Sequence, residues 1–288
     1  MAAAVLAALS WAAGNIIVRT VPLPGIQVAF WRILLGAVVY TAIFVARGGR
    51  ISKRNLMLSA PAGAVIAIEI AIFFVAIKAT TVANAVVIGN LQPLILFYFA
   101  SRRFGESIDR WFIGVAVVAF IGVAIVVFGS SSTAVWNPWG DFLAFVAMLF
   151  FAAYFVLAKT ARQQLDTFEF QTMQLLVGSA TLAPIAFVDA GLKFDVPSLE
   201  AWGGLALLLA IPGTGHLLMN FSHLKVKLSV TSLLTLGIPA LSTLAAALFL
   251  DEPANLIQYA GMALVVTALA TVITRESRLR SRAVARTS

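Results

Sequence analysis

Gly129-Ser-Ser-Ser-Thr-Ala-Val-Trp-Asn137 is the stretch on which the reading of this chain turns. It is small, polar and uncharged, and it lies near the middle of 288 residues. Five apolar stretches precede it, near 2–18, 26–46, 56–77, 81–101 and 111–129. Five follow, near 139–158, 170–188, 201–222, 228–250 and 254–274. A bilayer core is ~30 Å thick and takes roughly 20 apolar helical residues to cross. Composition agrees: 61% of residues are hydrophobic and 11% charged, where soluble domains have about half and about a quarter. The runs are continuous rather than short and alternating, which excludes a β-barrel. The expected fold is therefore an all-α polytopic membrane protein with ten transmembrane helices. Five spans per half put the halves in opposite orientations, as in inverted repeats around a central cavity. The expected organisation is a first repeat over 1–129, a linker over 130–137, a second repeat over 138–274 and a basic tail over 275–288.

The net charge of +8 has the same explanation. With the N-terminus cytoplasmic, 16 of the 20 Lys and Arg residues fall on the inner side. Arg19, Lys78 and Lys193 fall on the outer side, and Arg32 lies within a span. The positive-inside rule accounts for this basicity without a nucleic-acid partner. Both termini are expected in the cytoplasm, with the tail from Arg275 against anionic headgroups. No Lys or Arg precedes Arg19, unlike the basic start of a secretory signal, so the first span is expected to be retained. The chain has no cysteine, which removes disulfides, thiolate nucleophiles and Cys-based metal sites.

The halves also echo each other in detail. Asn90-Leu-Gln-Pro93 is followed thirteen residues after its proline by Glu106, and Leu236-Gly-Ile-Pro239 likewise by Glu252. Early glycines follow both glutamates, Gly114 and Gly261. Arg32-x3-Gly36 matches Gln174-x3-Gly178, and Trp11-Ala-Ala-Gly-Asn15 matches Phe151-Ala-Ala-Tyr-Phe155. Two five-helix halves, each with a mid-helix proline and a glutamate opening its last helix, resemble the EamA-type branch of the drug/metabolite transporter superfamily over essentially the whole chain. Within that branch the chain is most similar to bacterial exporters of aromatic amino acids and methionine. The resemblance implies a bacterial inner-membrane location and efflux of small metabolites through a cavity between the halves.

A charge inside a span is expensive and needs a partner or water. Arg32 and Glu69 fall at similar depth on neighbouring antiparallel spans, within reach of a salt bridge. Either they face substrate, Arg32 for a carboxylate and Glu69 for an ammonium or a proton, or they form a structural ion pair locking the two spans. His216, Asn220 and His223 share one helical face. A metal there lacks a further converging ligand, so no metal is expected; the face is either a polar cavity wall or an interhelical hydrogen bond. Pro212-Gly-Thr-Gly215 weakens that helix, and broken helices often line transporter sites. Trp11 and Asn15, Tyr154, Gln171 with Gln174, and Asn84 with Asn90 mark further polar or aromatic faces that must avoid lipid. Converging, they make an aromatic-walled cavity suited to a zwitterion with a flat apolar side chain; otherwise they glue helices together. The expected substrate-binding set is Trp11, Asn15, Arg32, Glu69, Asn84, Tyr154, Gln174, His216 and Asn220. Glu106 and Glu252 are read as caps of the helices they open.

These features favour a secondary transporter working by alternating access, with no cofactor and with expected substrates narrowed by the resemblance to small zwitterions, foremost aromatic amino acids and methionine. No Gly-rich phosphate loop is present, so energy must come from a gradient, with Glu69 and His216 the titratable groups available for proton coupling. An intramembrane enzyme would need a nucleophile with its base, paired aspartates or a His-Glu-x-x-His helix, none of which occurs. Export of other amino acids or of cationic drugs is the alternative. A channel is disfavoured in a single chain with internal repeats, which is expected to function as a monomer.

Overall fold

A computed structural model describes residues 1–80, 82–129, 137–193, 196–249 and 254–284, the side chains at 82–84, 246, 249, 280 and 282–284 excepted. Ten helical segments among the described residues are long and apolar enough to cross a membrane. Seven spans are single helices: α1 (Ala2–Thr20), α2 (Gly25–Ala46), α3 (Lys53–Ala79), α6 (Arg110–Phe128), α7 (Pro138–Arg162), α8 (Thr167–Asp189) and α13 (Leu256–Val284). Several begin on a short polar side chain that takes up a free amide. Ser52 accepts from the Asn55 N–H, Asp109 from Phe112, Asn137 from Gly140 and Ser198 from Ala201, at 2.8–3.2 Å.

The other three spans are broken. The fourth divides into α4 (Val82–Gly89) and α5 (Gln92–Phe104), and the ninth into α11 (Leu228–Leu234) and α12 (Gly237–Phe249). Pro93 and Pro239 are the cause. Each lacks an N–H, and its ring excludes the carbonyl four residues earlier, at Gly89 and Thr235. The sequence reading had both as continuous spans; the prolines interrupt them at matching places. The eighth span holds a π-helical turn, Leu209–Gly213, between α9 (Leu199–Leu208) and α10 (Thr214–Ser222). Here Pro212 again removes a donor, and the chain absorbs the defect as a wider turn. Toward the C-terminus, α13 runs past the expected boundary at 274 to Val284. Of the expected linker over 130–137, residues 130–136 lie outside the described residues.

The packing is symmetric under exchange of the halves. The third span packs on the sixth (α3 on α7), and the first on the eighth (α1 on α10). The fourth packs on the sixth (α4 on α7), and the first on the ninth (α1 on α12). Two pairings map onto themselves, α2 with α8 and α6 with α13. Such interleaving is what two oppositely oriented copies of one five-helix unit produce. At the α6–α13 seam the backbones nearly touch: a Cβ on Gly122 would meet the Gly261 carbonyl at 3.0 Å, and one on Gly261 the Gly122 carbonyl at 2.8 Å. Small residues of this kind let membrane helices approach closely.

Candidate functional site

All three broken spans contribute to one cavity. Gly89 and Asn90 line it from the fourth span, Leu208 and Pro212 from the eighth, and Ile238 from the ninth. Trp11, Phe73, Phe74 and Phe151 form aromatic walls, with Met148 beside them. Trp11 meets Phe151 edge-on at 5.5 Å and lies 5.0 Å from the His216 ring. The enclosed volume is about 90 Å³. A second hollow of about 30 Å³ adjoins it, with Arg32, Ile70 and His216 common to both.

Two buried charges face the larger cavity, Arg32 and Glu69. No ion pair joins them and no hydrogen bond ties either to another described side chain. Arg32 stands seven residues inside the end of α2 and Glu69 ten inside the end of α3. Gly25, where α2 begins, lies against the backbone of Phe74 and Val75, so at 1.5 Å per residue Arg32 and Glu69 stand at similar depth, roughly 10 and 8 Å in from that level. The Arg32 guanidinium sits 5.7 Å from the centre of the Phe74 ring. Insertion scales put a charged residue at mid-membrane at roughly 2.5–3.5 kcal/mol. Further unpaired groups belong to the same walls: Trp11 Nε1, His216 Nδ1 and Asn90 Oδ1 are buried with no partner among the described residues.

Of the expected binding set, Trp11, Asn15, Arg32, Glu69 and His216 line this cavity. Asn15 also donates to Ser242 Oγ at 3.3 Å, tying the first span to the ninth. Gln174 lines only the smaller hollow. Tyr154 and Asn220 line neither, and here the expectation is corrected. Tyr154 donates to Asn220 Oδ1 at 2.8 Å, Asn220 Nδ2 to Gln171 Oε1 at 2.8 Å, and Gln174 Nε2 to the same oxygen at 2.7 Å. Arg162 donates through Nε to the Asn220 carbonyl at 3.0 Å. Buried throughout, with Gln174 Oε1 left without a partner among the described residues, this chain holds the sixth, seventh and eighth spans together. The Asn84 side chain lies outside the described residues. His223 is buried, with its ring 5.1 Å from that of Phe155. Sequence reasoning missed Phe73, Phe74 and Met148 as wall residues. It met Phe151 only as the counterpart of Trp11, and that correspondence was the one signal that could have found it. Among the described residues no three His, Asp or Glu side chains converge as a metal would need.

Glu106 is not a cap of its own helix. That helix, α6, is capped by Asp109, while the Glu106 carboxylate reaches into the other repeat. It accepts from the N–H groups of Leu228 and Ser229, from Ser229 Oγ at 2.7 Å and from Lys159 Nζ at 2.8 Å. Burial pushes this carboxyl upward, but the Lys159 hydrogen bond and the two amides outweigh it and hold it below the ordinary glutamate range. Asp109, exposed at the same end, is held at about 2 by its Arg275 hydrogen bonds and the Phe112 amide. Glu252 lies outside the described residues.

A cavity enclosed by aromatic rings at the meeting point of interrupted membrane helices is the build of a small-molecule transporter. The model of the EamA-like transporter family matches residues 1–128 and again 138–274, so the chain belongs to that family and is a multi-pass membrane transporter of small molecules. A solved structure titled only "Crystal structure of protein" shares the fold, with a TM-score of 0.75, 18% identity and 96% of each chain covered. No curated protein matches the sequence.

Proposed function

We propose that this protein is a secondary transporter that exports small zwitterions, foremost aromatic amino acids and methionine, by alternating access around the cavity. The observation that carries the reading is the pair of unbonded opposite charges, Arg32 and Glu69, in one aromatic-walled space. A zwitterion supplies both missing partners: its carboxylate to Arg32 and the Trp11 N–H, its ammonium to Glu69 and Asn90 Oδ1. An aromatic or thioether side chain then lies against Trp11, Phe73, Phe74 and Phe151. A cationic drug fits less well, because Arg32 opposes the attraction of Glu69. The walls must part during binding. The cavity holds about 90 Å³, less than the ~150 Å³ of an engineered lysozyme cavity that accepts benzene.

Counterflow uptake by the purified protein in proteoliposomes tests this. Labelled phenylalanine, tryptophan and methionine should exchange saturably, with threonine and a quaternary ammonium dye as controls. Exchange of the dye alone overturns the amino-acid assignment, and flux that never saturates overturns the carrier.

A further inference from the structure

The cavity lies toward the face that carries Thr80, and Phe73 and Phe74 in its wall are within six residues of the end of α3. Between it and the opposite face stands the ninth span. An 18-residue stretch of that span is 78% buried, against 33–56% for the others. Its first half, α11, brings no side-chain cap of its own. The cap comes from the other repeat, in the form of Glu106. Four donors converge on that carboxylate, three from the start of the ninth span and one, Lys159, from the end of the sixth. Every one of them belongs to the second repeat, while Glu106 belongs to the first. The contact is therefore a tie between halves, at the end of the molecule away from the cavity. An open groove of about 390 Å³ lined by Glu106, Lys159, Lys225, Lys227 and Glu276 brings water to it, so the bonds have a solvent to exchange with.

The matching position in the first repeat makes the contrast. Lys159 stands eight residues after Phe151, as Arg19 stands eight after Trp11. Arg19 donates to the carbonyls of Ile77 and Thr80, at 3.3 and 3.1 Å, inside its own repeat. One cation thus spans the halves and its counterpart does not.

We propose that Glu106 is the latch that keeps the cavity shut toward the Lys159 face, and that releasing it from α11 and Lys159 opens the cavity to that side. The proposal rests on the carrier reading but not on the identity of the substrate. Losing the carboxylate frees the start of α11, and the ninth span can then pivot at its break, Thr235–Leu236. Glu106 acts here as a positioning residue and touches no substrate.

The chain contains no cysteine, so single cysteines report directly. Met148→Cys places a thiol in the cavity wall, and Ser281→Cys, exposed near the end of α13, marks the Lys159 face. A membrane-impermeant maleimide is applied to vesicles of both orientations without substrate. In the otherwise unaltered chain, Met148→Cys should react from the face opposite Ser281→Cys. Adding Glu106→Gln should raise its reaction from the Ser281 face roughly tenfold, the effect of losing one charge-assisted hydrogen bond. Lys159→Gln and Ser229→Ala should shift it the same way by less, and they carry the test if Glu106→Gln does not fold. Lys227→Gln removes a neighbouring charge whose partner, Glu276, is on α13 and outside the first repeat, and should change nothing. Unchanged labelling in the folded Glu106, Lys159 and Ser229 variants overturns the latch, as does an equal rise with Lys227→Gln. Failure of amino-acid counterflow leaves this result standing.

Discussion

Arg32 and Glu69 are the residues that most reward substitution. With each charge unpaired by a described neighbour, removing one leaves the other alone in the cavity. Arg32→Gln and Glu69→Gln are each expected to reduce counterflow at least tenfold, consistent with roughly 1.5–3 kcal/mol for a charge-assisted bond, while the detergent-purified protein stays monodisperse. Near-normal exchange in both variants would return the pair to a structural role. Trp11 and Tyr154 separate wall from scaffold. Trp11→Ala should impair transport with little loss of thermal stability. Tyr154→Phe should lower stability by about 0.6–1.7 kcal/mol, the range for hydrogen bonds between membrane helices, and leave transport intact. The reverse pattern would exchange their roles. At this scale polarity was legible and its use was not. A polar side chain in an apolar span avoids lipid, which singled out Trp11, Asn15, Arg32, Glu69 and His216, and all five line the cavity. The same signal in Tyr154, Gln174 and Asn220 belongs to hydrogen bonds between spans, and only geometry distinguishes the two. Phe73, Phe74 and Met148 carry no signal, being apolar residues in apolar helices.

Elements add what residue types conceal. Existence and order of the ten spans could be read from the chain, because length and hydropathy dictate them. The π-helical turn of the eighth span was foreshadowed by Pro212 and its glycines. Breaks at Pro93 and Pro239 were missed, although the prolines had been singled out, because proline is common in membrane helices and need not interrupt them. The glycines near the α6–α13 seam show the same limit. Gly114 and Gly261 correspond by position after their glutamates, yet Gly261 packs on Gly122 and a Cβ on Gly114 meets nothing within 4 Å. Gly122→Leu should lower the melting temperature sharply or abolish folding, and Gly114→Leu should be tolerated; equal melting temperatures would deny the seam its role. The Glu106 contact also makes a pH prediction. A lowered carboxyl pKa stabilises the folded state fully above the ordinary glutamate value, ~4.3. That contribution is lost as pH falls through the lowered folded value. Lys159 faces this carboxylate, with Lys225, Lys227 and Glu276 around the groove. The loss of stability on acidification should therefore be shallower in Glu106→Gln than in the unaltered chain, and identical acid profiles would contradict it.

For the whole molecule, an even number of spans places both termini on one face. By the positive-inside rule, the weight of positive charge predicts that this face is the cytoplasmic one. Cysteines introduced at Gly48 and at Ser281 should therefore both react with an impermeant reagent only in inside-out vesicles of a bacterial inner membrane. Reaction of either in sealed right-side-out vesicles would invert the topology.

The last helix has a consequence in time. Every residue that lines the cavity precedes Leu256, where α13 begins. The glycine face of α6 is nevertheless completed only by α13. During synthesis the fifth span, α6, therefore enters the bilayer more than a hundred residues before its partner exists. Until the tenth arrives, its bare backbone ridge is offered to lipid or to another membrane protein. The joint that closes the bundle is the last to be made, and the nascent chain depends on whatever guards that ridge in the interval.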